Sequence, residues 1–204
     1  MNPDFFSFFS LPRKLVIDTI ALEKQFYVLS RKLHPDRFAS KPVAEQEAAL
    51  AQSSLLNDAY RTLKDPILRT QYLLTLEGVE LEEQSKAATE AARASGVQKK
   101  QIVPPELLEE VFELNMQLAE MRAAKKMGED EPELRRDLMT AKDAFDARMV
   151  ETQAELEDLW SVWDAGVDAG DEAAKTRAKD AMVTLLNKRS YLRNLVRDVN
   201  EALE

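Results

Sequence analysis

No cysteine occurs in the 204 residues. That excludes a disulfide framework, a zinc-cysteine site, an iron-sulfur cluster held on the chain's own thiolates and any thiol nucleophile. A single histidine, His34, leaves one imidazole for acid-base work, and no G-x-S-x-G motif offers it a seryl partner. Neither G-x-x-x-x-G-K-S/T nor G-x-G-x-x-G is present, so nucleotide binding lacks its phosphate cradle. Five glycines and eight prolines are too few for a turn-rich all-β fold. No apolar run reaches the roughly 20 residues of a membrane helix. The opening Met1-Asn2-Pro3-Asp4 lacks the basic region of a secretory signal. The expectation is a mature chain without a membrane or cofactor, in a reducing, cytoplasmic compartment.

What is present favours helices: 45% hydrophobic and 32% charged residues, net charge −9. The sign is uneven, with 10 basic and 9 acidic side chains in residues 1–78 against 18 and 28 in 79–204. Two parts with different partners are implied, and the acidic part would repel nucleic acid. Phe5, Phe6, Phe8, Phe9, Leu11 and Leu15 form an aromatic-rich opening that must be buried. Asp18 is a suitable N-cap for a helix carrying Leu22, Phe26, Leu29 and Leu33, which should stop before Pro35. A second helix from about Pro42 carries Ala48, Ala51, Leu55, Ala59 and Leu63, and should pair antiparallel with the first. Asp65-Pro66 opens a short helix ending at Gly78.

Residues 79–104 are charged, Ala-rich and closed by Pro104-Pro105, the composition of a linker. Beyond them, Leu107, Val111, Leu114, Leu118 and Met121 form an a/d seam. Leu134, Leu138, Ala141, Phe145, Thr152, Leu159 and Trp163 continue the period on a helix expected to end near Gly166. Leu185, Leu192 and Val199 repeat every seven on a third. An antiparallel three-helix bundle over 105–204 follows, making the fold all-α. Asp164, Asp168 and Asp171 resemble a calcium loop, but position 12 from Asp164 is Lys175 where a bidentate Glu is needed, so the segment reads as an expanded interhelical loop. Lys99-Lys100 and Lys125-Lys126 read as solvated charges, and Trp160 and Trp163 as bundle core. Nothing supports an enzyme, a metal site or a catalytic residue.

The tripeptide His34-Pro35-Asp36 is commonly only a turn. Here it sits between two antiparallel helices and follows Arg31-Lys32. In this setting the sequence resembles a J-domain, the module by which co-chaperones stimulate DnaK-type ATPases. The resemblance implies that His34, Pro35 and Asp36 form the trigger, and that Lys24, Arg31 and Lys32 give electrostatic footing on an acidic partner. Phe5-Phe6-Ser7-Phe8-Phe9-Ser10-Leu11-Pro12, Ala44-Glu45-Gln46, Ser53-Ser54-Leu55-Leu56-Asn57-Asp58-Ala59-Tyr60 and Arg69-Thr70-Gln71-Tyr72-Leu73-Leu74 narrow it to the HscB type, J-proteins of iron-sulfur cluster assembly. An N-terminal J-domain (1–78) joined to a C-terminal bundle (105–204) is then expected, with an HscA/DnaK-type chaperone and an IscU-like scaffold as partners.

On the first bundle helix, Leu108, Phe112 and Met116 form a second apolar stripe about 100° from the seam. It is either further core or an exposed docking face. The HscB resemblance assigns scaffold binding to Leu108, Phe112 and Met116, with Glu113 at the rim and Tyr191 from the last helix. Two alternatives stay open: a J-domain co-chaperone with another client, and a coiled-coil-like assembly protein whose seams are intermolecular, through self-association.

Overall fold

The computed structural model describes residues 4–79 and 104–204. Most of the expected linker, residues 80–103, lies outside the described residues. Among the described residues are seven α-helices: α1 (Phe5–Phe8), α2 (Thr19–Leu33), α3 (Val43–Lys64), α4 (Pro66–Leu76), α5 (Leu108–Met127), α6 (Pro132–Ala169) and α7 (Glu172–Leu203). Short 3-10 turns precede α3, at Pro35–Phe38, and α5, at Pro105–Leu107. The chain divides into two compact units, one of residues 1–80 and 159–179, the other of 81–158 and 180–204.

In the first unit the expected caps are in place. Asp18 accepts the Ile20 and Ala21 amides and Asp65 accepts that of Leu68, satisfying N–H groups that a helix start leaves unbonded. Helix α2 ends at Leu33 because His34 precedes proline and is extended, at ψ 126°. Gly78 follows α4 at φ +79°. Helices α2 and α3 are antiparallel: the Phe26 and Tyr60 rings stack at 4.1 Å, and Glu23, a turn earlier on α2, meets Lys64, a turn later on α3, at 3.3 Å.

The buried line on α3 is Ala49, Leu56, Ala59 and Leu63, while Ala48 and Ala51 of the expected stripe are exposed. Successive steps of four residues advance about 40° around a helix, so 51-55-59-63 winds off the face that 49-56-59-63 keeps. Phe6, Phe9, Leu15, Leu22, Leu73 and Leu74 complete this core. The buried Phe6 and Phe9 account for the aromatic opening.

The Glu23 carboxylate accepts from Tyr60 Oη at 2.9 Å and from Lys64 Nζ at 3.3 Å, and these contacts, Tyr60 first, lower its pKa. A lowered folded pKa makes this contribution complete above the unfolded value, about 4.3, and lost as pH falls through the folded one. Between about pH 5 and 3 the urea midpoint of the wild type should therefore fall more than that of Glu23→Gln, which retains an acceptor but does not titrate. Equal falls would mean the contact contributes nothing to acid stability.

Residues 159–179 form the tip of the α6–α7 hairpin, and here two expectations are corrected. Helix α6 does not end at Gly166, nor is the stretch from Asp164 to Lys179 an expanded loop; the connection is Gly170-Asp171. Gly170, at φ +64°, is the left-handed residue, and the Asp171 amide returns to the Gly166 carbonyl at 2.9 Å, a Schellman closure. Gly166 serves close approach instead, since a Cβ there would stand 2.9 Å from Lys175 Cγ. Asp171 then caps α7 through the Ala174 amide at 2.9 Å.

The tip is tied to the N-terminal segments by buried polar groups. Asp164, 9% exposed, accepts the Leu15 amide at 2.8 Å and the Val16 amide at 2.9 Å. Trp163 Nε1 donates to the Arg13 carbonyl at 3.3 Å, and Trp160 Nε1 to Thr70 Oγ1 at 3.0 Å. The Arg69 guanidinium lies 4.7 Å from the Trp160 ring, a cation–π contact. Both tryptophans, expected in the bundle core, are core of the first unit: each indole finds its hydrogen-bond acceptor on the N-terminal segments.

The second unit is a three-helix bundle. Leu107, Val111, Leu114, Leu118 and Met121 pack with Leu134, Leu138 and Phe145 of α6 and Leu192, Leu195 and Val199 of α7. Arg148 and Glu110 pair α6 with α5 through two contacts of 2.7 Å, and Glu106 lies 3.5 Å from Lys188.

Candidate functional site

Each unit carries an exposed patch that includes residues expected to be functional. In the first, the His34-Pro35-Asp36 loop is solvent-facing, with the His34 and Asp36 side chains 54% and 89% exposed. The loop is nonetheless well tied. Pro35 opens the 3-10 turn with its φ already set. Within it the Arg37 amide donates to the His34 carbonyl at 3.0 Å and His34 Nδ1 accepts the Asp36 amide at 3.3 Å. Arg37 Nη1 reaches back to the Arg31 carbonyl at 3.4 Å. From α3, Gln46 Nε2 donates to the carbonyls of Ala39, at 3.3 Å, and Lys41, at 2.8 Å. The backbone that carries the ring and the carboxylate is thus held in place.

Lys24, Arg31 and Lys32 are exposed on α2, and none has an ion-pair partner among the described residues. Lys24 and Arg31, seven residues apart, share a face. Around them lie three apolar side chains absent from the sequence expectations, Ile20, Tyr27 and Val28, exposed by 66%, 57% and 53%. On a wheel of about 100° per residue these fall within about 60° of Lys24, opposite the buried Leu22. The signal was available, because Ile20, Tyr27 and Val28 do not share the period of Leu22, Phe26, Leu29 and Leu33. Arg37, exposed beside the loop, extends the basic surface. A face of uncompensated cations interleaved with apolar side chains suits an acidic protein surface with an apolar centre.

In the second unit the stripe on α5 is exposed. Leu108, Phe112 and Met116 are 56%, 69% and 60% accessible, Met127 continues the line at 65%, and Glu113 is exposed at its edge. The stripe's centre lies roughly 140° from the seam rather than 100°, so it stays clear of the buried side of the helix, which the seam and Ala124 occupy. Tyr191 is not part of this surface: it is 8% exposed and belongs to the core cluster, where burial raises its phenol above the ordinary value. It stands next to Leu192 and four residues before Leu195, on the inward side of α7. Among the described residues no group of three His, Cys, Asp or Glu is placed to hold a metal ion, and no helix is long and apolar enough to cross a membrane.

No protein-family model matches the chain. Among solved structures, the chaperone HscB from Vibrio cholerae is similar at 24% identity with a TM-score of 0.60, over 98% of this chain and 96% of that one. The human co-chaperone protein HscB is similar at 22% identity with a TM-score of 0.61, over 98% of this chain and 82% of that one. The fold is therefore that of the HscB co-chaperones, an N-terminal helix pair with its exposed loop and a C-terminal helical bundle.

Proposed function

We propose that this protein is a J-type co-chaperone that presents an iron-sulfur scaffold protein to a DnaK-type chaperone. The observation that carries the proposal is the tied yet exposed His34-Pro35-Asp36 loop beside the exposed cations of α2. In this reading Lys24, Arg31 and Lys32 steer an acidic nucleotide-binding domain, and His34, Pro35 and Asp36 stimulate its ATPase. The α5 face of Leu108, Phe112 and Met116, rimmed by Glu113, holds an IscU-like scaffold. The protein is then not an enzyme; ATP is hydrolysed by the partner. Holding client and chaperone on one chain raises the local concentration of one at the other. Residues 1–78 act as the J-module and 105–204 supply the client-binding bundle. The compartment is that of its partners, the cytoplasm.

Steady-state ATPase of an HscA-like chaperone tests this, measured with the protein alone and with an IscU-like scaffold. Stimulation by the protein, rising more than additively with scaffold, is the expected result. Stimulation without that synergy would retain the J-module and remove the cluster-assembly client. No stimulation of any DnaK-type ATPase, together with concentration-dependent mass in solution, would instead indicate a self-assembling structural protein.

A further inference from the structure

We infer that His34 has two separate roles in the loop, with Nδ1 acting inward as the acceptor that positions Asp36 and Nε2–H acting outward as the donor offered to the partner. The inference deepens the proposed chaperone contact and rests on it for the partner's identity. A backbone N–H can only donate. Because the Asp36 amide points at His34 Nδ1 from 3.3 Å, that nitrogen must hold a lone pair, and the neutral ring must carry its proton on Nε2.

The alternative, a proton on Nδ1, would aim at the Asp36 carboxylate, whose Oδ2 is 3.5 Å away, but it would leave the Asp36 amide without its acceptor. Among the described residues no other side chain bonds the ring or the Asp36 carboxylate, so Nε2–H and the carboxylate both remain available to a partner. That partner must then supply a hydrogen-bond acceptor for the imidazole and a cation or donor for Asp36. A lysine or amide donor facing His34 would be rejected, its proton meeting the proton on Nε2. With different duties on its two ring nitrogens, histidine should not be replaceable by a single carboxamide: Asn places an acceptor where Nδ1 is and lacks the donor, while Gln reaches the Nε2 position and lacks the cap.

The chain's one histidine makes the test direct. In the full-length protein with 15N-labelled histidine, at a basic pH where the ring shifts no longer change with pH, the ring nitrogens report their protonation separately. Expected are a pyridine-type shift at Nδ1 and a pyrrole-type shift at Nε2. The reverse pattern, or equal averaged shifts, would overturn the inward role. Exchange of the Asp36 amide gives a second readout: near the wild-type rate in His34→Asn, and faster by roughly 5–10-fold in His34→Gln, the value of about 1 kcal/mol of hydrogen bond. Equal acceleration in both would also count against the cap.

Adding the nucleotide-binding domain of a DnaK-type chaperone should slow exchange of the Nε2 proton with water; a proton that stays in fast exchange in a demonstrated complex overturns the outward role. Absence of any complex would remove the proposed chaperone contact, and the outward role with it, while the free-protein shifts still decide the inward role.

Discussion

Replacing Asp164 by alanine is expected to cost about 3–5 kcal/mol and lower the melting temperature by roughly 10 °C, although the residue is 149 positions from the backbone it holds. Its carboxylate receives two backbone amides, Leu15 at 2.8 Å and Val16 at 2.9 Å. Hydrogen bonds to a charged acceptor contribute about 1.5–3 kcal/mol each, and their loss leaves the buried Leu15 amide unsatisfied. Asp164→Asn keeps one carbonyl oxygen and should lose about half as much. Thermal unfolding of the three proteins, with amide exchange at Leu15 and Val16, checks this. A loss below about 1 kcal/mol in the alanine variant would show that the tip is held by its two tryptophans rather than by the carboxylate. A chain truncated after residue 80 should be destabilised for the same reason, since it lacks the Asp164, Trp163 and Trp160 partners.

The second large effect is a separation of two losses. Phe112→Asp should weaken scaffold binding by about 100-fold, because an aromatic at the centre of a docking face is worth about 2–4 kcal/mol and a new carboxylate there would be buried unpaired. With Phe112 69% exposed, stability should change by no more than about 0.5 kcal/mol. Stimulation of the chaperone by this variant alone should persist, and only its increase with scaffold should vanish. His34→Gln should do the reverse, abolishing stimulation while scaffold binding holds. Calorimetric binding and ATPase assays on both variants give four readings. If either substitution removed both activities without unfolding, the two patches would not be independent.

Much of the first patch was legible because its determinants are local. A proline forbids helix at the residue before it, aspartates cap where they stand, and charge at a helix end needs no distant partner to stay exposed. His34, Pro35 and Asp36 lie in the exposed turn that such reasoning gives, while Lys24, Arg31 and Lys32, named through the J-domain resemblance, are exposed on α2. The stripe on α5 was legible as a pattern but not as a surface. Leu108, Phe112 and Met116 are apolar enough for core, and whether a stripe is covered depends on which neighbours arrive. Tyr191 marks the same limit from the other side: an aromatic suited to a docking face is turned inward.

By itself the sequence determined the absence of thiol chemistry, the helical content, the caps and stops of α2 and α4, the a/d seam and the exposed tripeptide, because each depends on residue chemistry within a few positions. Only the tertiary structure decided that Gly166 makes room for Lys175 instead of ending a helix, and that Trp160, Trp163 and Asp164 serve the N-terminal unit. Those outcomes depend on acceptors and donors far along the chain, and periodicity carries no record of what a helix face will meet.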